Sequence, residues 1–115
     1  MQEIFELSSD IRYAAVYQKG VLQLEQRNDL VSASASESDR YEELLVNPTL
    51  LMIARQRGNI DCGGFEYLVV RYGNFFQIVH PIFEGHISIA VEATAQPLDI
   101  LALLKKSPYF QKLVG

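Results

Sequence analysis

Residues 65–92 read FEYLVVRYGNFFQIVHPIFEGHISIAVE, and this stretch decides the fold class. It holds three runs rich in β-branched and aromatic residues, Phe65 to Tyr72, Phe75 to Ile82 and His86 to Glu92. The pairs Gly73-Asn74 and Glu84-Gly85 separate these runs. Such runs are typical of strands, and two-residue turns that contain glycine are typical of hairpins. The stretch therefore predicts a three-stranded antiparallel meander.

Two-residue turns would also fix the register of the meander. Val69 then faces Ile78 across the first turn, and His80 faces Ile89 across the second. One face of the sheet becomes largely apolar and is the predicted core face. That face collects Phe65, Tyr67, Val69, Phe76, Ile78, His80, Ile82, Ile87, Ile89 and Val91. The opposite face is mixed in character, as in a sheet that is only partly covered. Pro81 cannot donate to a ladder, so a bulge there would shift the second register.

Another pair of strands is predicted upstream of the meander. Ile11 to Tyr17 and Val21 to Leu24 flank the turn pair Lys19-Gly20 and predict a hairpin. Met1 to Ser8 predicts a short leading helix. The polar stretch Asn28 to Ser38 predicts a loop, because clusters of small polar residues between periodic segments are typical of loops.

The middle of the chain predicts two helical pieces with a kink or break between them. Ser36 or Ser38 is expected to cap the first piece, which continues to Val46. Asn47-Pro48 begins the second, with the asparagine as its cap and the proline in its first turn. Gly58 is expected to stop this second piece.

A last helix is predicted to begin at Pro97, with Leu98, Leu101, Ala102 and Leu104 on one side. The predicted order is therefore β-β-α-β-β-β-α. We expect an α+β fold with a mainly antiparallel five-stranded sheet and helices packed on it. A chain of 115 residues suits a single domain over residues 1–115.

Composition and charge exclude several classes of function. The formal net charge of -4 argues against binding to a nucleic-acid backbone or to an anionic membrane. Arg55, Arg57 and Arg71 leave a local basic spot open. A single cysteine allows no intrachain disulfide, which favours a reducing, cytoplasmic compartment. We find no signal peptide in the sequence, and no apolar stretch near the roughly 18 residues that span a bilayer.

The motifs that carry chemistry are missing from the sequence. It contains no phosphate loop, dinucleotide glycine pattern, nucleophile elbow or zinc-ligand pair, so we expect no catalytic residue, no cofactor and no metal. The chain is therefore expected not to be an enzyme. Cys62 is expected to be a buried or incidental thiol, because Asp61 beside it disfavours the thiolate. Glu42-Glu43 is expected to be a solvated helix face, and His86 to be solvated. His80 is expected to be a core histidine beside Tyr67.

The first hairpin, the meander and the helix from Leu98 to Leu104 together resemble the roadblock/dynein-light-chain family and, more broadly, profilin-like domains. This resemblance is one of pattern over most of the chain. It implies a homodimer built from the central helix and the strand after it, and a role in regulating or scaffolding small Ras-like GTPases without catalysis. The absence of a long leading helix and the presence of Pro48 are departures from the pattern.

We expect an interaction domain that forms a homodimer through the edge strand Phe65 to Tyr72 and the helix Pro48 to Arg57. That strand has no proline or lysine, the usual devices against edge-to-edge pairing. The residues expected at the interface are Leu51, Ile53, Phe65, Tyr67, Val69, Val70 and Tyr72. The alternative is a sensor domain of the PAS type, in which Tyr67 and His80 would be the polar handle of a ligand pocket between sheet and helix.

Overall fold

The structure is a computed structural model that describes residues 1–27 and 33–115. For residues 33–36 it describes the backbone alone. The elements in chain order are α1 (Gln2–Phe5), β1 (Ile11–Gln18), β2 (Val21–Gln26), α2 (Ala33–Tyr41), a π-helical turn (Glu42–Val46), α3 (Asn47–Asp61), β3 (Leu68–Arg71), β4 (Phe75–Ile82), β5 (Gly85–Glu92), α4 (Pro97–Lys106) and α5 (Pro108–Val114).

Within the described residues the strands form one five-stranded sheet in the order β2-β1-β5-β4-β3. Every neighbouring pair of strands is antiparallel. The meander and the first hairpin are joined because β5 pairs with β1 as well as with β4. The predicted α+β class and the predicted order of elements are confirmed. The edges of the sheet are β2 and β3.

The predicted register is right across the first turn of the meander and wrong across the second. Val69 pairs with Ile78 as expected. His80, however, pairs with Ile87 and not with Ile89, because the second turn is Phe83-Glu84. Gly85 belongs to β5, where an added Cβ would lie 1.8 Å from the carbonyl oxygen of Tyr17. The resulting shift of two residues keeps every side chain on its predicted face, since side chains alternate with a period of two.

The predicted core face packs against α1, α4 and α5. Buried side chains on this face include Ile78, Ile87 and Ile89 from the sheet, and they contact the wholly buried Ile4 of α1. Helix α4 contributes Ile100, Leu101 and Leu104, and α5 contributes Phe110. Leu98 and Ala102 are exposed, so the predicted inward side of the last helix was only partly right.

Three boundaries in the middle of the chain differ from the prediction. Helix α2 already begins at Ala33, so neither Ser36 nor Ser38 caps it, and residues 28–32 of the predicted loop lie outside the described residues. Helix α3 runs through Gly58 and ends at Asp61. Strand β3 begins at Leu68 and not at Phe65.

Gly58 is buried inside α3 because the chain folds back over it. An added Cβ at Gly58 would lie 2.6 Å from the carbonyl oxygen of Gly64. Gly63 and Gly64 have φ angles of 81° and 99°, in the region that favours glycine. The amide of Gly64 donates to the carbonyl of Gly58 at 3.0 Å. The glycine that resembled a helix stop is therefore a point of close approach between the helix and the loop that follows it.

Candidate interaction surface

The central helical run, from α2 through the π-helical turn into α3, does not break at Pro48. Asn47 has helical angles, φ -63° and ψ -45°, so the prediction that it caps a new helix is wrong. Proline lacks the N–H that a regular helix would direct to the carbonyl four residues earlier. The wider π turn accommodates this loss. The backbone amide of Asn47 donates to the carbonyl of Glu42, and the hydroxyl of Thr49 donates to the carbonyl of Leu45 at 2.7 Å.

The side of this run that faces the sheet carries a buried carboxylate. Glu43 has no exposed surface, and His86 beneath it is 2% exposed. The Tyr13 hydroxyl donates to Glu43 Oε2 at 2.6 Å. His86 Nε2 lies 2.7 Å from Glu43 Oε1, and the side-chain amide of Asn47 donates to the same oxygen at 3.0 Å. The predictions that Glu43 and His86 are solvated are therefore wrong.

Further hydrogen bonds extend this contact across the sheet. The Gln26 amide at the end of β2 donates to Asp39 at 2.7 Å, and Tyr72 beyond the end of β3 donates to Glu42 at 2.9 Å. Near the middle, Ser88 accepts from Asn47 at 3.4 Å and from Gln77. We call this row of helix acids and sheet donors the polar seam; it comprises Tyr13, Gln26, Asp39, Glu42, Glu43, Asn47, Tyr72, Gln77, His86 and Ser88.

Burial beside these carboxylates changes the acidity of the groups in the polar seam. Burial, together with the charge of Glu43, raises the pKa of Tyr13 far above its ordinary value. Burial also raises the pKa values of Asp39 and Glu42, although hydrogen bonds from Gln26 and Tyr72 oppose the change. The pKa of Tyr72 rises to about 12, chiefly by burial and then by its bond to Glu42. Both tyrosines therefore remain donors at neutral pH.

The side of the run that faces away from the sheet carries several large, exposed apolar side chains among polar ones such as Thr49 and Gln56. Leu45, Met52 and Ile53 are 51%, 53% and 56% exposed, and Ile60 is 74% exposed. We call this surface the outer apolar face; it comprises Tyr41, Leu44, Leu45, Leu50, Met52, Ile53 and Ile60. The buried residues of the π turn and α3 are Glu43, Asn47, Leu51 and Gly58, of which one alone is a large apolar residue. The run thus departs from the usual amphipathic pattern, because polar groups are buried on its inner side and large apolar groups are exposed on its outer side.

The edge strand β3 lies at the side of the sheet and offers free backbone groups. The Tyr72 amide donates to the carbonyl of Phe75 at 2.9 Å, so it points toward β4. Because N–H directions alternate along a strand, the Val70 amide also points toward β4, and the amides of Val69 and Arg71 point outward. Arg71 is exposed, and its outward amide faces the side of β3 that has no neighbouring strand among the described residues.

The residues expected at a dimer interface do not all lie on one surface of the protein. Ile53 lies on the outer apolar face, whereas Leu51 is 5% exposed and packs inward. Tyr67 and Val69 are half-buried and contact the core on the α4 side of the sheet. Phe65, Val70 and Tyr72 are half-buried.

The remaining singled-out residues lie away from the central helical run. His80 is half-buried on the α4 side, with Nδ1 2.7 Å from the carbonyl of Pro81 and its ring edge-on to Phe110 at 4.9 Å. Burial lowers its pKa. Tyr67 contacts the same core. Cys62 is exposed and not buried, and its thiol donates to Asp61 at 3.4 Å.

Sequence reasoning missed the polar seam, although one signal for it was present. The predicted register already placed Gln77, His86 and Ser88 together on the mixed face of the sheet. Three polar residues on the sheet face beneath a helix that carries adjacent acids indicate a buried polar contact, since buried polar groups find partners. Across residues 1–27 and 33–115, no three His, Cys, Asp or Glu side chains are grouped so that they could hold a metal ion. No helix in the same ranges combines the length and apolarity that crossing a membrane requires.

Comparison with known proteins finds a solved structure with a similar fold. No family model and no curated protein matches the sequence. Among solved structures, the crystal structure of MglC from Myxococcus xanthus is similar, with a TM-score of 0.58 and 11% sequence identity. The match covers 91% of this chain and 87% of that chain. At this level of identity the likeness shows the fold alone, and the fold is roadblock-like.

Proposed function

We propose that the protein is a non-enzymatic interaction domain that forms a homodimer and binds a small Ras-like GTPase. The observation that carries this proposal is the outer apolar face. A helix that exposes several large apolar side chains to solvent leaves apolar surface for another protein to cover. The roadblock-like fold supports the proposal because the resemblance to roadblock domains implies this kind of partner.

The second copy of the chain is the first occupant that we assign to this surface. The outer apolar face and the open edge of β3 belong to consecutive elements, and a strand edge without proline or lysine favours pairing with a copy of itself. Two-fold symmetry closes such a pair, so it does not extend into a fibre. Two α3 helices would then lie side by side on one surface, and their remaining apolar residues would form the platform for a GTPase.

Two substitutions test the dimer, one at the edge of β3 and one on the outer apolar face. Arg71→Pro removes an outward-pointing donor from the edge of β3 while leaving the bonds to β4 in place, so it is expected to weaken the dimer. Val70→Pro is the less informative change, because the Val70 amide points toward β4 and its loss would disturb the protomer itself. Met52→Lys places a charge on the outer apolar face. Leu98→Lys is the matched control, since Leu98 is 57% exposed on α4, on the opposite side of the sheet.

Calorimetric titration tests the GTPase partner. Ras-like GTPases of the source cell would be purified, loaded with GDP or with a non-hydrolysable GTP analogue, and titrated into the protein. We expect binding that Met52→Lys abolishes and Leu98→Lys preserves. If no GTPase binds in either nucleotide state, or if Met52→Lys binds as well as the parent protein, this assignment of the partner fails.

A further inference from the structure

The outer apolar face depends on how the helix is rotated about its own axis, and the inner side of the helix decides that rotation. On the sheet, an apolar cluster has Tyr13, Ala15 and Ala90 as its buried members, with the partly buried Leu22, Leu24 and Phe75 packed against them. Two of the three buried members have a single methyl group as their side chain, so the centre of the cluster has little shape to fix a helix in one rotation. Apolar packing at the centre of this face is therefore a weak constraint on rotation.

Hydrogen bonds to Glu43 are a much stronger constraint. Its Oε2 accepts from Tyr13 on β1, and its Oε1 accepts from Asn47 on the helix and lies 2.7 Å from His86 Nε2 on β5. A carboxylate with no exposed surface has no water to replace these partners. Turning the helix by one residue position, about 100°, would carry the carboxylate away from Tyr13 and His86 on the two strands and leave it only the bond from Asn47, which turns with it.

We propose that Glu43 is a positioning residue, whose buried carboxylate fixes the rotation of the helical run and so determines which side chains form the outer apolar face. This inference rests on the proposed function for the role of that face. It concerns the polar seam beneath the face, which no comparison with a known protein assigns. The π turn makes the helical run compatible with Pro48, and Glu43 sets the direction in which that turn faces.

Cysteine labelling measures the rotation directly. It is carried out at a dilution where light scattering gives a monomer mass, because a dimer through the outer apolar face would itself cover position 52. In a Cys62→Ser background, Met52→Cys reports the outer side of α3 and Leu51→Cys the inner side. A soluble maleimide is expected to label position 52 at least about tenfold faster than position 51, given the 53% and 5% exposure of the native side chains. Glu43→Gln replaces one of the acceptor oxygens by a donor that faces other donors. The ratio of the two labelling rates is then expected to fall toward one.

A purely structural role would give a different result. If Glu43→Gln only lowered global stability, position 51 would label faster by no more than the change in the unfolding equilibrium measured by urea denaturation. Labelling of position 51 beyond that amount, together with slower labelling of position 52, supports rotation of the helix. Glu37→Gln is the matched control, because Glu37 is an exposed acid on the same helical run. Its labelling ratio is expected to equal that of the parent protein.

A second variant protects the test against loss of folding. Tyr13→Phe removes one bond to Glu43 and keeps the ring, so it is expected to move the labelling ratio in the same direction by a smaller factor. If neither Glu43→Gln nor Tyr13→Phe changes the ratio beyond global unfolding, Glu43 does not position the helix. If the ratio changes as expected but the parent protein is a monomer, the positioning role stands and the proposed function fails.

Discussion

The two tyrosines of the polar seam allow a matched test of how much burial strengthens a hydrogen bond to a carboxylate. Tyr13 is 5% exposed and donates to the wholly buried Glu43 at 2.6 Å, whereas Tyr72 is half-buried and donates to Glu42 at 2.9 Å. Replacing either by phenylalanine removes one hydroxyl and preserves the ring. The two variants therefore differ mainly in the surroundings of the lost bond.

The expected losses follow from those surroundings. A hydrogen bond to a charged group contributes about 1.5 to 3 kcal/mol when it is buried, and Tyr13→Phe also leaves part of a buried carboxylate without a donor. We expect Tyr13→Phe to lower the free energy of unfolding by about 2 to 3 kcal/mol. At Tyr72, water can replace the lost donor, so we expect a loss of about 0.5 to 1 kcal/mol.

Urea denaturation followed by circular dichroism measures both losses. The comparison requires equal m-values, since a change in m would indicate an altered denatured state. Equal losses for the two variants, or a larger loss at Tyr72, would refute the reasoning that the buried carboxylate holds the helix to the sheet.

Three further outcomes are expected in denaturation experiments on single variants. Asn47→Asp should destabilise the protein by about 2 kcal/mol or more, at least as much as Asn47→Ala, because it sets a second carboxylate beside Glu43. A helix cap would instead tolerate aspartate. A neutral Asn47→Asp would therefore contradict the buried position. Gly58→Ala should destabilise by about 1 to 3 kcal/mol through its clash with the loop after α3, whereas Gly73→Ala, with nothing within 4 Å of the added Cβ, should change little. The contribution of Tyr72 to stability should be fully present below pH 10, the ordinary pKa, and should disappear as the pH rises through about 12. The unfolding free energy of the parent protein should therefore fall relative to that of Tyr72→Phe over that range, and a constant difference would show that the Tyr72 pKa is not raised.

Local patterns were sufficient to predict the sheet. The alternation in residues 65–92 and the turn at Gly73-Asn74 define β3 and β4 without reference to the rest of the chain, and β4 has the predicted bounds. The error at Gly85 arose because a glycine after a strand suggests a turn, while here it is required by the approach of Tyr17 from β1. A contact between strands far apart in sequence cannot be read from the hairpin itself.

The helical run was harder to predict because its local signals conflict with its tertiary contacts. Asn47-Pro48 is a typical helix start, and an isolated chain would favour a break there. Buried partners from two strands, β1 and β5, hold Glu43 and Asn47 inward instead, and the π turn accommodates the proline. The excess of apolar residues in α3 was visible in the sequence. Which of them point outward was not, because the inward side is defined by polar groups.

Light scattering on the purified protein tests the central claim that the outer apolar face is an interface. We expect a dimer mass at micromolar concentration for the parent protein, a monomer mass for Met52→Lys, and a dimer mass for Leu98→Lys. A monomer mass for the parent protein, or a dimer that Met52→Lys leaves intact, would contradict the account.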